Sequence, residues 1–260
     1  MIRKSLVALA LCTTLSFSTR AQNGYWMSAG EMIFSYGSVD APSAVDITPI
    51  VRWSPVFNFQ GQYHYDFSKS VGIYTGLGIR NVGLISRIDF VDSSDVGATP
   101  IQKEARVKER SYSLGLPLAL KLGDVDNGTH FTIGAEAELM FVYKRKIFVD
   151  DGKFKTYEWF SDNVNIFNPS AFAEVNFKHG VYIRFKYYLM DFLNYEGIEI
   201  SGMNIKDYGQ KSPLFYVSIG SADLVGDWDD EFTSKPQSTS AFFKTKKKDW
   251  KQMDATAQVY

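Results

Sequence analysis

Cysteine is nearly missing from this chain. The single one, Cys12, lies in an apolar run close to the N-terminus. The surroundings of that run read as an export signal. Met1 to Lys4 is short and basic, residues 5–17 are apolar, and Ala21 is a small residue just before Gln22. The run is too short to cross a bilayer as a helix. Cleavage after Ala21 is the expectation. It would leave a mature chain without cysteine, and so without disulfides or thiolate metal sites. Lipidation at Cys12 would need a small residue before it, and Leu11 is not one. No later stretch has eighteen consecutive apolar residues, which excludes a spanning helix. An excess of one charge is also lacking. Lysine and arginine total 28 against 29 acids, and losing Arg3, Lys4 and Arg20 moves the net charge from −1 to −4. Nothing in that balance suggests a nucleic-acid partner.

What is abundant is aromatic: 15% of the chain, with 20 Phe and 15 Tyr. Much of it falls into strict alternation. In residues 110–122, Tyr112, Leu114, Leu116, Leu118, Leu120 and Leu122 occupy every second position. Ser111, Ser113, Gly115, Pro117, Ala119 and Lys121 lie between them. A period of two places such a stripe on one face of a β-strand. The same pattern recurs at residues 25–35, 57–65, 71–80, 131–143, 171–177, 181–189 and 215–219, which makes eight expected strands. Pro117 removes a ladder donor in mid-strand, so a bulge is expected there.

The connections alternate between short (66–70, 123–130, 178–180) and long (37–54, 86–106, 144–167, 191–213). Short turns on one side and long loops on the other are the rhythm of an outer-membrane barrel, with both chain ends at the short-turn, periplasmic side. Two of the long segments read as strand extensions. Residues 85–91 are expected to pair with 105–110, and 146–149 with 153–160 across Asp150-Asp151-Gly152.

The face opposite the apolar stripe decides which side looks outward. A soluble sheet would fill that face with long polar residues. Here it holds Gly, Ala, Ser, a few large aromatics and balanced charge. Glu31, Glu136, Glu138 and Glu174 share it with Arg80, Lys121, Arg184 and Lys186. Four acids against four bases suit a filled barrel interior, because an unpaired buried charge is very costly. Leu114, Leu116, Leu118, Leu120, Ile133, Ile183 and Phe185 are then expected to face lipid. Tyr63, Tyr65, Tyr112, Phe141 and Tyr143, near strand ends, are expected in aromatic girdles.

With these patterns in place, the chain resembles a known family, the PorT-like small bacterial outer-membrane β-barrels ("outer membrane protein beta-barrel domain"). The resemblance lies in "GIYTGLGIR" (72–80), "YSLGLPLALKLG" (112–123), "FTIGAEAELMF" (131–141) and "VYIRFKYYLMDFLN" (181–194), and covers roughly residues 24–220. It implies a Gram-negative outer membrane, an eight-stranded antiparallel up-and-down transmembrane barrel and a link to a secretion or envelope complex. It implies no catalytic residues. The chain departs from the family in some forty residues after Gly220. These carry an acidic patch (Asp227, Asp229, Asp230, Glu231) and Lys246-Lys247-Lys248, and are expected to form a periplasmic tail.

Chemistry finds little footing. His130 and His179 fall in or beside short turns, and His64 points inward near the short-turn end. A Ser-His-Asp set on the outer face is therefore not available, and no H-E-x-x-H, Walker or dinucleotide motif occurs. No cofactor or metal is expected. Loops on a rigid scaffold are the better place for binding. The segment 144–167 gathers Phe148, Phe154, Tyr157, Trp159 and Phe160 beside Lys144, Arg145, Lys146, Lys153 and Lys155. Basic and aromatic residues together suit lipopolysaccharide headgroups or a protein partner. The tail offers a second docking segment. The reading is thus a non-enzymatic structural or interaction barrel. The alternatives are a narrow channel and a soluble exported ligand-binding barrel with the apolar face inside.

Overall fold

The computed structural model describes residues 24–225, apart from 41–44, 93–100, 126, 151, 196 and 201. The expected leader (1–21) and nearly all of the expected tail (221–260) lie outside the described residues. The described chain is all-β apart from one 3₁₀ turn, Lys178–Gly180. Its strands are β1 (Gly24–Gly37), β2 (Asp46–Ile50), β3 (Arg52–Ser54), β4 (Phe59–Asp66), β5 (Val71–Asp92), β6 (Ile101–Asp124), β7 (Thr129–Val149), β8 (Gly152–Trp159), β9 (Ser170–Asn176), β10 (Val181–Tyr188), β11 (Ile198–Ile200), β12 (Met203–Ile205) and β13 (Leu214–Leu224).

The main sheet is antiparallel and closes on itself. Its path runs β1–β4–β5–β6–β7–β9–β10–β13, and β13 returns to β1 with Met27 opposite Leu224 and Gly37 opposite Leu214. Closure satisfies the edges that an open sheet would leave unpaired. Residues 24 and 224 lie at the same end as the short turns 66–71, 124–129 and 176–181. At the other end β5 and β6 run on as a long hairpin, with Ile85 opposite Lys108 and Ile88 opposite Ala105. There β7 also folds back into β8, with Lys146 opposite Lys155.

Period-two alternation carries through to burial. In β10, residues 181–188 alternate exposed and buried without a break. Along β6 the leucines lie outside, Leu116 57% and Leu118 64% exposed, while Ser113, Ala119 and Lys121 are buried. The apolar face therefore looks out of the ring. The reading of a soluble barrel with that face inside is overturned.

Several sequence expectations need correction. The register between β5 and β6 holds on both sides of Pro117, with Thr75 opposite Leu118 and Gly78 opposite Gly115, so no bulge forms there. The Pro117 carbonyl instead accepts a hydrogen bond from the Thr75 hydroxyl at 2.8 Å. The ladder slips elsewhere. Tyr112 pairs with Val142 and Ser113 with Met140, leaving Phe141 as the extra residue of a β-bulge. An extra residue inverts the alternation beyond it, so Tyr143 turns inward and is fully buried rather than joining a girdle. Phe57 lies outside a strand; β4 begins at Phe59, and Phe57 takes a left-handed φ of 64°. The final strand runs to Leu224, beyond the expected end at 220. The segments read as loops 37–54 and 191–213 hold β2 and β3, and the β11–β12 hairpin, respectively.

Candidate functional site

The ring interior is filled in three layers. At the short-turn end, Tyr25 stacks on His64 (5.1 Å) and His64 on Tyr74 (4.9 Å). The waist is ionic. Arg80 Nε donates to Glu31 at 2.6 Å, and its guanidinium also pairs with Glu136. Arg184 bridges Glu174 at 2.8 Å and Glu31 at 3.3 Å. Lys186 reaches Glu136 at 2.6 Å and also pairs with Glu138. Hydroxyls also donate to these carboxylates: Tyr74 to Glu174 at 2.5 Å, Ser218 to Glu31 at 2.5 Å, and Ser113 to Glu138 at 2.6 Å. Above the waist the interior turns apolar. Val82, Leu84, Val107 and Met140 pack with Phe192, Leu193 and residues of the β11–β12 hairpin, which folds into that end.

The structure thus places all eight residues of the expected charge network inside the ring. It brings seven of them into one connected cluster. The eighth, Lys121, stands apart at the short-turn end, where it pairs with Asp66 and donates to the Tyr25 hydroxyl at 2.9 Å. Asp66 is a partner that alternation alone did not reveal, because it sits at the last residue of β4.

A separate acid lies in the apolar outer layer. Glu109 is fully buried. Tyr143 donates to it at 3.0 Å and Tyr208 at 3.3 Å, and the Tyr195 hydroxyl also contacts it. Burial raises its pKa above the ordinary carboxylate range, against the opposing pull of these phenols and of Arg145. Tyr195 and Tyr208 come from the 191–213 segment, so this one acid ties the plug to β6 and β7.

The residues of the expected binding segment are not gathered on one surface. Directly opposed residues of an antiparallel pair share a face. Phe148 opposes Lys153, Tyr157 opposes Lys144, and Trp159 opposes Val142, all on the outward side. Phe154 opposes Ile147 and belongs to the other face. Phe160 lies just past β8 with a left-handed φ of 47°, and its amide donates to Phe141 O at 3.1 Å. The outward set continues onto β6, where Arg110 opposes Lys144 and Lys108 opposes Lys146. The basic residues of 144–155 are legible in the sequence; their register with Lys108 and Arg110 is not.

No family model matches the sequence. No curated protein matches it either. Among solved structures, the chain is similar to Ail, the attachment invasion locus protein of Yersinia pestis, solved in complex with the heparin analogue sucrose octasulfate. The identity is 12%, covering 76% of this chain and 99% of that one, with a TM-score of 0.32. It is also similar to the outer membrane protein OprG of Pseudomonas aeruginosa (9% identity, 77% and 96% covered, TM-score 0.33). A third is the N-terminal β-barrel domain of OprF from the same organism (9% identity, 78% and 100% covered, TM-score 0.27). Overlaps this loose leave the fold to rest on the strand pairings themselves.

Proposed function

We propose that the protein is an eight-stranded outer-membrane β-barrel that acts as a non-enzymatic structural or interaction protein of the bacterial envelope, with both chain ends in the periplasm. The observation that carries this reading is the closed belt of outward apolar side chains over an ionic interior. Every strand of the ring contributes to the belt: Phe34, Phe59, Leu77, Leu118, Ile133, Val175, Phe185 and Ile219 are examples, each at least 36% exposed. Soluble monomers rarely expose so much contiguous apolar surface. On β6 the stripe from Tyr112 to Leu122 is ten residue steps; at about 3.4 Å each and a tilt of roughly 40°, it rises about 25 Å, the height of an outer-membrane apolar band. Binding falls to the end carrying the long hairpins, where Tyr157 and Trp159 stand exposed above the belt.

The test is extraction and heat modifiability. The protein should be found in the detergent-extracted membrane fraction. Its unboiled band on an SDS gel should migrate apart from the boiled one. Recovery in the soluble fraction with no shift would end the membrane reading.

A further inference from the structure

The outward stripe of β6 does not stop at Tyr112. Two residues at a time it continues as Arg110, Lys108 and Arg106, so an apolar row passes into a cationic one on the same face. On one side of β6, strands β7 and β8 do the same. Across the ladder Arg110 opposes Lys144, and Lys108 opposes Lys146, which in turn opposes Lys155 on β8. Like charges directly opposite one another destabilise a sheet, and here aromatic rings rather than carboxylates meet them: Lys108 lies 5.4 Å from the centre of the Phe148 ring. Among the described residues no ion pair joins Lys108, Arg110, Lys144, Lys146 or Lys155 to a carboxylate. Two outward acids nearby are engaged elsewhere: Glu104 pairs with Arg87 at 3.1 Å and Asp150 with Lys103 at 3.1 Å. The Lys146 ammonium is held below its ordinary pKa by desolvation and then by Arg110, Lys153, Lys155 and Lys108.

This cationic grid borders a cavity of about 270 Å³, walled by Arg52, Lys108, Arg110, Lys144 and Lys146, with Trp53 at its side. Arg52 is itself 7% exposed and held in place through Asn81, at 3.0 Å to the carbonyl and 2.6 Å to Oδ1. Glu109 is the one acid in the wall, and its carboxylate is occupied by phenols of the interior. Immediately below lies an aromatic step. Phe57 packs edge-on against Tyr112 at 6.0 Å, and Lys144 sits 4.5 Å over the Tyr157 ring. The leucine belt starts beneath it.

We infer that this cavity holds the phosphate-bearing headgroup of an outer-leaflet glycolipid, with the acyl chains lying along the leucine stripe of β6. The inference rests on the membrane reading above. Charge complementarity sets the chemistry: converging cations without counter-ions match a phosphate monoester, which lysine and arginine bind by charge-assisted hydrogen bonds. Position selects the source, because the cavity opens at the upper rim of the apolar belt. A phosphate there would also relieve the repulsion among Lys108, Lys146 and Lys155.

The experiment uses the folded full-length barrel in phosphatidylcholine nanodiscs doped with diphosphoryl lipid A or with its dephosphorylated counterpart. Co-purified lipid is read by native mass spectrometry after exchange into neutral detergent. The wild type should retain the phosphorylated lipid selectively. Lys108→Gln with Lys146→Gln should cut retention about tenfold for each charge-assisted hydrogen bond removed, while Lys178→Gln at the opposite end should leave it unchanged. The double variant should also melt at a higher temperature than wild type in neutral detergent, since it removes opposed like charges; this shows that it has folded. Equal retention of both lipids, or full retention by the double variant, would overturn the inference. If inorganic phosphate displaced the lipid completely, the site would belong to a free anion and the lipid assignment would fall. A chain that forms no heat-modifiable barrel sinks the membrane reading; a folded barrel blind to phosphate sinks only this one.

Discussion

Leu118 shows how much a single position reports. It is 64% exposed in mid-stripe, while its neighbours Pro117 and Ala119 are buried. If the belt is in lipid, Leu118→Arg should lower folding stability by about 2–4 kcal/mol, read from urea unfolding out of phosphatidylcholine vesicles. A change under about 0.5 kcal/mol is what an ordinary solvent-exposed site gives and would contradict the lipid assignment. Interior positions follow a different rule. At Gly134 an added Cβ would lie 2.6 Å from the Phe172 ring and 2.7 Å from the Leu118 carbonyl. The small residues between the large ones are what lets this interior pack. The alternation of small, aromatic and charged residues on this face is legible in the sequence. Which carboxylate meets which base is not, because Glu31 and Arg184 are 153 positions apart and meet only once the ring closes.

At the scale of elements, the β11–β12 hairpin and its flanks are held to the outer layer by Glu109 and its phenols. That contact is pH-sensitive. The native pKa of Glu109 is raised above its unfolded value by burial, so the folded state binds the proton more tightly. The stability this confers is present in full below the ordinary carboxylate value and is lost as pH rises through the higher native value. Hydrogen exchange of the Met203–Ile205 amides should therefore become faster relative to the rest of the barrel as pH rises across that window. After correction for intrinsic exchange, Glu109→Gln should abolish the trend. A trend unchanged in that variant would show that the acid does not hold the plug. Neither the plug nor the Phe141 bulge is legible in the sequence. The segment 191–213 has no sustained period, and a one-residue slip leaves no local mark in an apolar run such as "ELMFVYK".

At the largest scale, the described residues form a closed sheet with a filled interior. The waist is crossed by Arg80, Arg184 and Lys186 bound to their glutamates, and the outer end is packed with apolar side chains. A ring of this size is just wide enough for side chains to fill. Planar-bilayer recordings of the reconstituted protein should show no steady ionic current above the bare membrane. A current altered by Arg184→Gln would reinstate the channel reading. The apolar outside, the filled waist and the cationic rim are three parts of one arrangement, in which the waist charges are paired within and apolar side chains face outward.

Local pattern by itself determined a good deal. Alternation is a property of the strand backbone, so residues 71–80, 112–122 and 181–188 announce both their structure and their two faces. Long-range closure decided the rest. Register between β6, β7 and β8 is a tertiary quantity, and it alone sets Lys108 against Lys146 and Lys146 against Lys155. The bulge at Phe141 turned Tyr143 from the outer face to Glu109. The sequence holds the charges and their spacing along each strand. Only pairing between strands places those charges beside one another, because electrostatic and packing energies depend on distance in space rather than along the chain.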